Sequence, residues 1–182
     1  MKKVLTLLIA LAATITVQAA TVQWLYSGST PLTGHGLAEG CKAILLASSS
    51  TGMHDTIFNA IQGADFDTVA TYTVGTATTI ADGGGFAVAT ADADYISSTI
   101  TAGTYDFYVA IFNVAADPVP GDWFVMTEVA IRETVTDDPT SAVALDFAEV
   151  GEWTQIADVP EPTVLALLAL GVAGLALKRK VA

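Results

Sequence analysis

Apolar and polar positions alternate with a period of two through much of the middle of this chain. In residues 123–133 one face carries Trp123, Val125, Thr127, Val129 and Ile131, and the other carries Phe124, Met126, Glu128, Ala130 and Arg132. The first face is apolar and the second grows polar, which predicts a half-buried strand. Residues 104–114 set Tyr105, Phe107, Val109 and Ile111 against Tyr108, Ala110 and Phe112, so this segment reads as a central strand covered on both sides. Between the two, Asp117-Pro118-Val119-Pro120-Gly121-Asp122 is rich in turn residues and predicts a hairpin. Further strands are expected at 22–27, 41–47, 66–74, 85–90, 95–100, 143–147 and 153–156. Short strands with frequent turns indicate a mostly β domain, an antiparallel β-sandwich of jelly-roll or immunoglobulin-like type. One segment has a different period. Met53, Ile57 and Ile61 recur every four residues beside Phe58, and Gly63 follows them, which predicts one short helix across an end of the sandwich.

Both ends of the chain abandon this alternation for continuous apolar runs. Lys2 and Lys3 precede the apolar residues 4–17, and small residues follow. That order predicts a secretory signal peptide at 1–19, cleaved between Ala19 and Ala20. Near the other end, Pro160-Glu161-Pro162 leads into the uncharged residues 163–177, which Lys178, Arg179 and Lys180 terminate. As a helix, fifteen residues extend about 22 Å, against about 30 Å of bilayer hydrocarbon. Such a transmembrane helix is short for a permanent anchor, and the basic cluster is expected on the cytoplasmic side. Pro160 and Pro162 fix φ and lack donors, so the segment before the span is expected to be extended and open to a processing enzyme. The leader and the tail describe one orientation, with residues 20–158 exported.

Pro-Glu-Pro, a short apolar span and a terminal basic cluster, in that order, resemble the PEP-CTERM sorting signal. The resemblance covers residues 159–182 and speaks to destination, not activity. It implies an exosortase as partner, after the general export machinery, with a transient stay in the membrane. It also implies a final place at the cell surface or outside the cell, in the company of exopolysaccharide or biofilm matrix.

Composition narrows the exported part further. Residues 20–158 hold eighteen carboxylates against only Lys42 and Arg132, a net charge of −16. Nucleic acid is excluded as a partner by this acidic surface, because phosphate neutralisation needs clustered Lys and Arg. The single cysteine, Cys41, forms no internal disulfide, so stability has to come from packing. Fifteen aromatic residues, all between Trp24 and Trp153, supply the material.

Catalytic signals are sparse. His35 and His54 lie in no metal or protease motif, and no Gly-x-Ser-x-Gly elbow is present. Cys41 opens an apolar strand and reads as a buried thiol. Asp82-Gly83-Gly84-Gly85 precedes a strand and reads as a turn, not a phosphate loop. The acidic pairs Asp65/Asp67, Asp92/Asp94 and Asp137/Asp138 sit at expected loops, where calcium takes several oxygen ligands. Asp92 and Asp94 are the calcium candidates, although Asp also favours turns for its own hydrogen bonds. The sequence therefore predicts no enzyme and no required cofactor. It predicts an exported structural or adhesive protein, with a carbohydrate-binding module as the alternative and a secreted hydrolase as the third reading. The exposure of Trp24, Trp123 and Trp153 discriminates between the first two, since sugar binding needs open aromatic faces.

Overall fold

The computed structural model describes residues 19–27, 35–82, 85–88, 95–138 and 140–158. The expected leader, the Pro-Glu-Pro segment, the apolar span and the basic cluster therefore lie outside the described residues, apart from Ala19 at the leader's end. Among the described residues, no helix is long and apolar enough to cross a membrane.

The architecture is mostly antiparallel β with two short helices. The strands are β1 (Ala19–Tyr26), β2 (Lys42–Ser48), β3 (Thr73–Asp82), β4 (Gly85–Val88), β5 (Ile96–Thr101), β6 (Gly103–Phe112), β7 (Trp123–Met126), β8 (Ile131–Val135), β9 (Val143–Phe147) and β10 (Thr154–Gln155). The helices α1 (His54–Gln62) and α2 (Phe66–Tyr72) fall between β2 and β3. Hydrogen-bonded neighbours run β10-β7-β6-β2-β3-β4-β1-β5, with β8 added to β6 and β9 to β1. The β1–β9 pair is parallel, with Val22 opposite Val143 and Tyr26 opposite Phe147. Strand β3 links the two halves of this path: Thr73–Thr78 pairs with β2, and Thr79–Asp82 pairs with β4.

Two cores share the central strands. The inner core packs Val22, Trp24 and Tyr26 of β1 and Leu145 and Phe147 of β9 against Leu45, Phe107, Val109 and Ile111. The outer core packs Ile44, Leu46, Tyr108, Ala110 and Phe112 under Ile57, Ile61 and Val69 of the helices. Both faces of β6 are thus covered, as its two apolar faces predict. The hairpin also forms, with Ile111 opposite Val125 and Phe112 opposite Phe124.

Two expectations need correction. The segment from Phe66 is a helix, not a strand, so the domain has two helices where one was expected, and they pack on the outer face of β2 and β6, not across an end of the sandwich. Asp65 Oδ1 accepts the Thr68 N–H at 3.1 Å and caps the first turn. Thr71 Oγ1 then donates to the Thr68 carbonyl, and Thr73 Oγ1 to that of Val69. These bonds absorb threonine hydroxyls within and just after a helix that Val69 docks into the outer core. The second correction concerns residues 123–133, which form two strands. Ala110 faces Met126, but Phe107 faces Ile131, so the partner of β6 gains two residues at the break. Thr127 explains it. Its N–H donates to the Val109 carbonyl and its Oγ1 accepts the Val109 N–H at 3.1 Å, after which the chain bulges outward. Val129, expected on the apolar face, is 78% exposed.

The two halves approach closely where β3 passes over β5, beside Trp24 of β1. Trp24, fully buried, donates from Nε1 to Ser98 Oγ at 3.0 Å, and Gly75 lies directly over that bond. A Cβ at position 75 collides with Ser98 Oγ and comes within 3.3 Å of Trp24 Nε1. Gly75→Ala is expected to lower stability by about 1–3 kcal/mol through overpacking and a strained buried hydrogen bond. Urea unfolding of the full-length chain checks it, and an unchanged midpoint refutes the tight crossing.

Candidate functional site

The residues leading to the tail are not a loose linker. After β9 the chain passes Gly151, whose N–H donates to the Met126 carbonyl at 2.8 Å, and then adds β10 to the edge of β7. Ile156 is fully buried in the outer core. Its N–H donates to the Asp122 carbonyl at 2.8 Å, and the Ala157 N–H donates to the carbonyl of Gln62 at the end of α1. The stretch before the tail is therefore folded as far as Ala157. Pro160, Glu161, Pro162, Lys178, Arg179 and Lys180 lie beyond the described residues. At the other end, Ala19 and Ala20 open β1, facing Thr101 and Ile100 of β5, and Ala20 is buried.

The three tryptophans have different surroundings. Trp24 is buried, whereas Trp123 and Trp153 are half-buried at the surface. The ring of His35 stacks on Trp123 with centroids 3.8 Å apart and planes 18° apart, and it meets Trp153 at 5.6 Å and 56°. Backbone geometry sets this up. His35 and Gly36 both have left-handed φ, 48° and 78°, the pattern of a tight turn that glycine adopts freely and histidine tolerates. Asn113 locks the turn in place: its Nδ2 donates to the His35 carbonyl at 2.8 Å, and its Oδ1 accepts the Trp123 N–H at 2.8 Å. The result is one compact aromatic patch, not a row of three coplanar open rings. Sequence reading did not place His35 there, because the three rings are far apart in the chain and only the turn brings them together.

Cys41, His35 and His54 have separate partners. Cys41 is buried, its sulfur accepts the Ala38 N–H at 3.3 Å, and its own N–H donates to Thr79 Oγ1. The His35 ring is against Trp123 instead. His54 Nδ1 lies 2.9 Å from Asp55 Oδ1, and its ring stacks on Phe58 at 5.7 Å. Tyr26 is fully buried with its hydroxyl unpartnered, and burial, aided by the Glu149 charge, raises its pKa.

Carboxylates follow local needs. Hydrogen bonds from Thr68 and Thr140 hold the Asp65 and Asp138 carboxyls below the ordinary carboxylate range, so these two cap backbone turns. Asp106, buried, pairs with Arg132 at 2.6 Å across the β6–β8 ladder. Among the described residues, no three His, Cys, Asp or Glu side chains gather as metal ligands. Asp92 and Asp94, the calcium candidates, lie outside the described residues.

Comparison with known proteins bears on the tail. Residues 158–180 match the PEP-CTERM protein-sorting motif. No curated protein and no solved structure matches the chain. The PEP-CTERM match contains Pro160, Glu161 and Pro162 together with Lys178, Arg179 and Lys180, the residues on which the resemblance rests. It marks the chain for export and for handling by an exosortase as a membrane-anchored precursor.

Proposed function

We propose that this is a non-catalytic exported protein whose domain serves a structural or adhesive role at the cell surface or in the extracellular matrix. The observation that carries the reading is the PEP-CTERM signal at residues 158–180, set immediately after a domain folded as far as Ala157. A leader ending at Ala19 and a short tail helix complete the orientation in this reading. The domain is read as a sandwich: its two sheet halves pack face to face over the inner core, which makes a disulfide-free scaffold suited to an external matrix. Its net charge of −16 favours solubility and disfavours self-association.

A second reading, binding of exopolysaccharide, is favoured by the patch of His35, Trp123 and Trp153. Aromatic faces stack on sugar rings, and the tilt between His35 and Trp153 offers two differently inclined faces at one place.

Three outcomes test these readings. Glu161→Ala is expected to reduce surface delivery severalfold in the native host while the domain stays folded; undiminished delivery in cell fractionation refutes the sorting role. The purified full-length chain is expected to turn over no glycoside, ester or peptide substrate. A reproducible activity that vanishes in His35→Ala, His54→Ala or Cys41→Ser overturns the non-catalytic assignment. In native gels containing exopolysaccharide from the producing cells, the second reading expects retardation that Trp153→Ala relieves, whereas equal mobility with and without polysaccharide leaves the plain scaffold.

A further inference from the structure

The two helices leave part of the outer sheet face uncovered. Between α2 and the loop after β6 lies a cleft of about 470 Å³, inside the range of roughly 300–1,000 Å³ typical of small-molecule sites. Its walls are mainly apolar: Ile44 and Phe112 come from the strands, Phe66 and Val69 from α2, and Pro118 from the loop. Lys42 and Asp117 are the charged residues that line it.

Those two charges are unequally held. Lys42 Nζ and Asp117 Oδ1 are 2.5 Å apart, yet the Lys42 side chain is 23% exposed and that of Asp117 is 92% exposed. The lysine stem is therefore fixed against the cleft, while the aspartate reaches it from water and can return there at little cost, as exposed ion pairs contribute little. An incoming anion can take the place of Asp117 on the ammonium while its body displaces water from the apolar walls. Size and charge limit the anion further. The domain carries −16 overall, which repels a multiply charged ligand more than a singly charged one.

We propose that this cleft binds a free organic monoanion with an apolar body, of the medium-chain carboxylate class, with its head on Lys42 Nζ and its chain against Phe66, Val69, Ile44 and Phe112. Nothing in the sorting signal bears on this site, so the proposal stands or falls apart from the route of export.

Photolabelling tests it on the full-length chain, with a diazirine derivative of decanoate as the probe and mass spectrometry to locate the label. Label is expected on α2 and on the loop that carries Asp117 and Pro118, competed by decanoate and poorly by decanol. Lys42→Met, which keeps an apolar stem, is expected to reduce that label about tenfold, the effect of losing a charge-assisted hydrogen bond. Asp117→Asn is expected to raise it severalfold by freeing the ammonium. Undiminished labelling in Lys42→Met, equal competition by decanol, or label confined to the apolar ends of the chain overturns the proposal. Competition by phosphatidylglycerol vesicles that matches decanoate overturns the choice of a free acid over a lipid headgroup.

Discussion

The pairing of β2 with β6 is the constraint on which the rest of the structure depends. Six residue pairs join them, from Ala43 opposite Ile111 to Ser48 opposite Asp106, and apolar side chains leave this ladder in both directions. Leu45, Phe107, Val109 and Ile111 go to the inner core, while Ile44, Leu46, Tyr108 and Phe112 go to the outer one. A ladder with two apolar faces needs two covers. The half of the sheet built on β1 and β9 is one cover, and α1 with α2 is the other. The helices are therefore a requirement of the central strands, placed where the chain leaves β2 and before it returns as β3.

Charge is organised around the same ladder. With eighteen carboxylates and two cations in residues 20–158, most acids have to remain in water. Asp106 is buried at the end of the β2–β6 ladder, and Arg132 is the residue opposite it on β8. Arg132 itself reaches water, so the buried member is the carboxylate, which loses its charged partner if Arg132 is removed. Lys42 sits at the opposite end of the same ladder and faces Asp117. Each of the two cations thus meets a carboxylate at one end of the central pair: at one end the carboxylate is buried and the cation exposed, at the other the cation is the more buried partner and the carboxylate exposed.

The sequence shows β6 and α1 clearly because their burial is written in local periodicity: two apolar faces for the strand, and Met53, Ile57 and Ile61 for the helix. It hides α2, where Thr68, Val69 and Thr71 have strand composition while a single capping residue, Asp65, together with docking of Val69, decides for a helix. It also hides the break at Thr127, because that residue fits the alternation and its bond to Val109 is made to another strand. The aromatic patch shares this fault, since His35, Trp123 and Trp153 meet only through the turn at Gly36 and the bridge of Asn113. The sorting signal is legible for the opposite reason: its residues are contiguous and their order is the message.

The docking of Ile156 and Ala157 sets the length of a leash. Ala157 is tied to Gln62 and Ile156 is sunk in the outer core, so only three residue steps separate the last fixed point from Pro160. Three residues reach at most about 11 Å. A membrane enzyme that grips Pro-Glu-Pro therefore holds a folded, acidic body within one helix diameter of its own surface. Whatever shape that enzyme presents to the outside has to accommodate the end of the domain where α1, β7 and β10 meet.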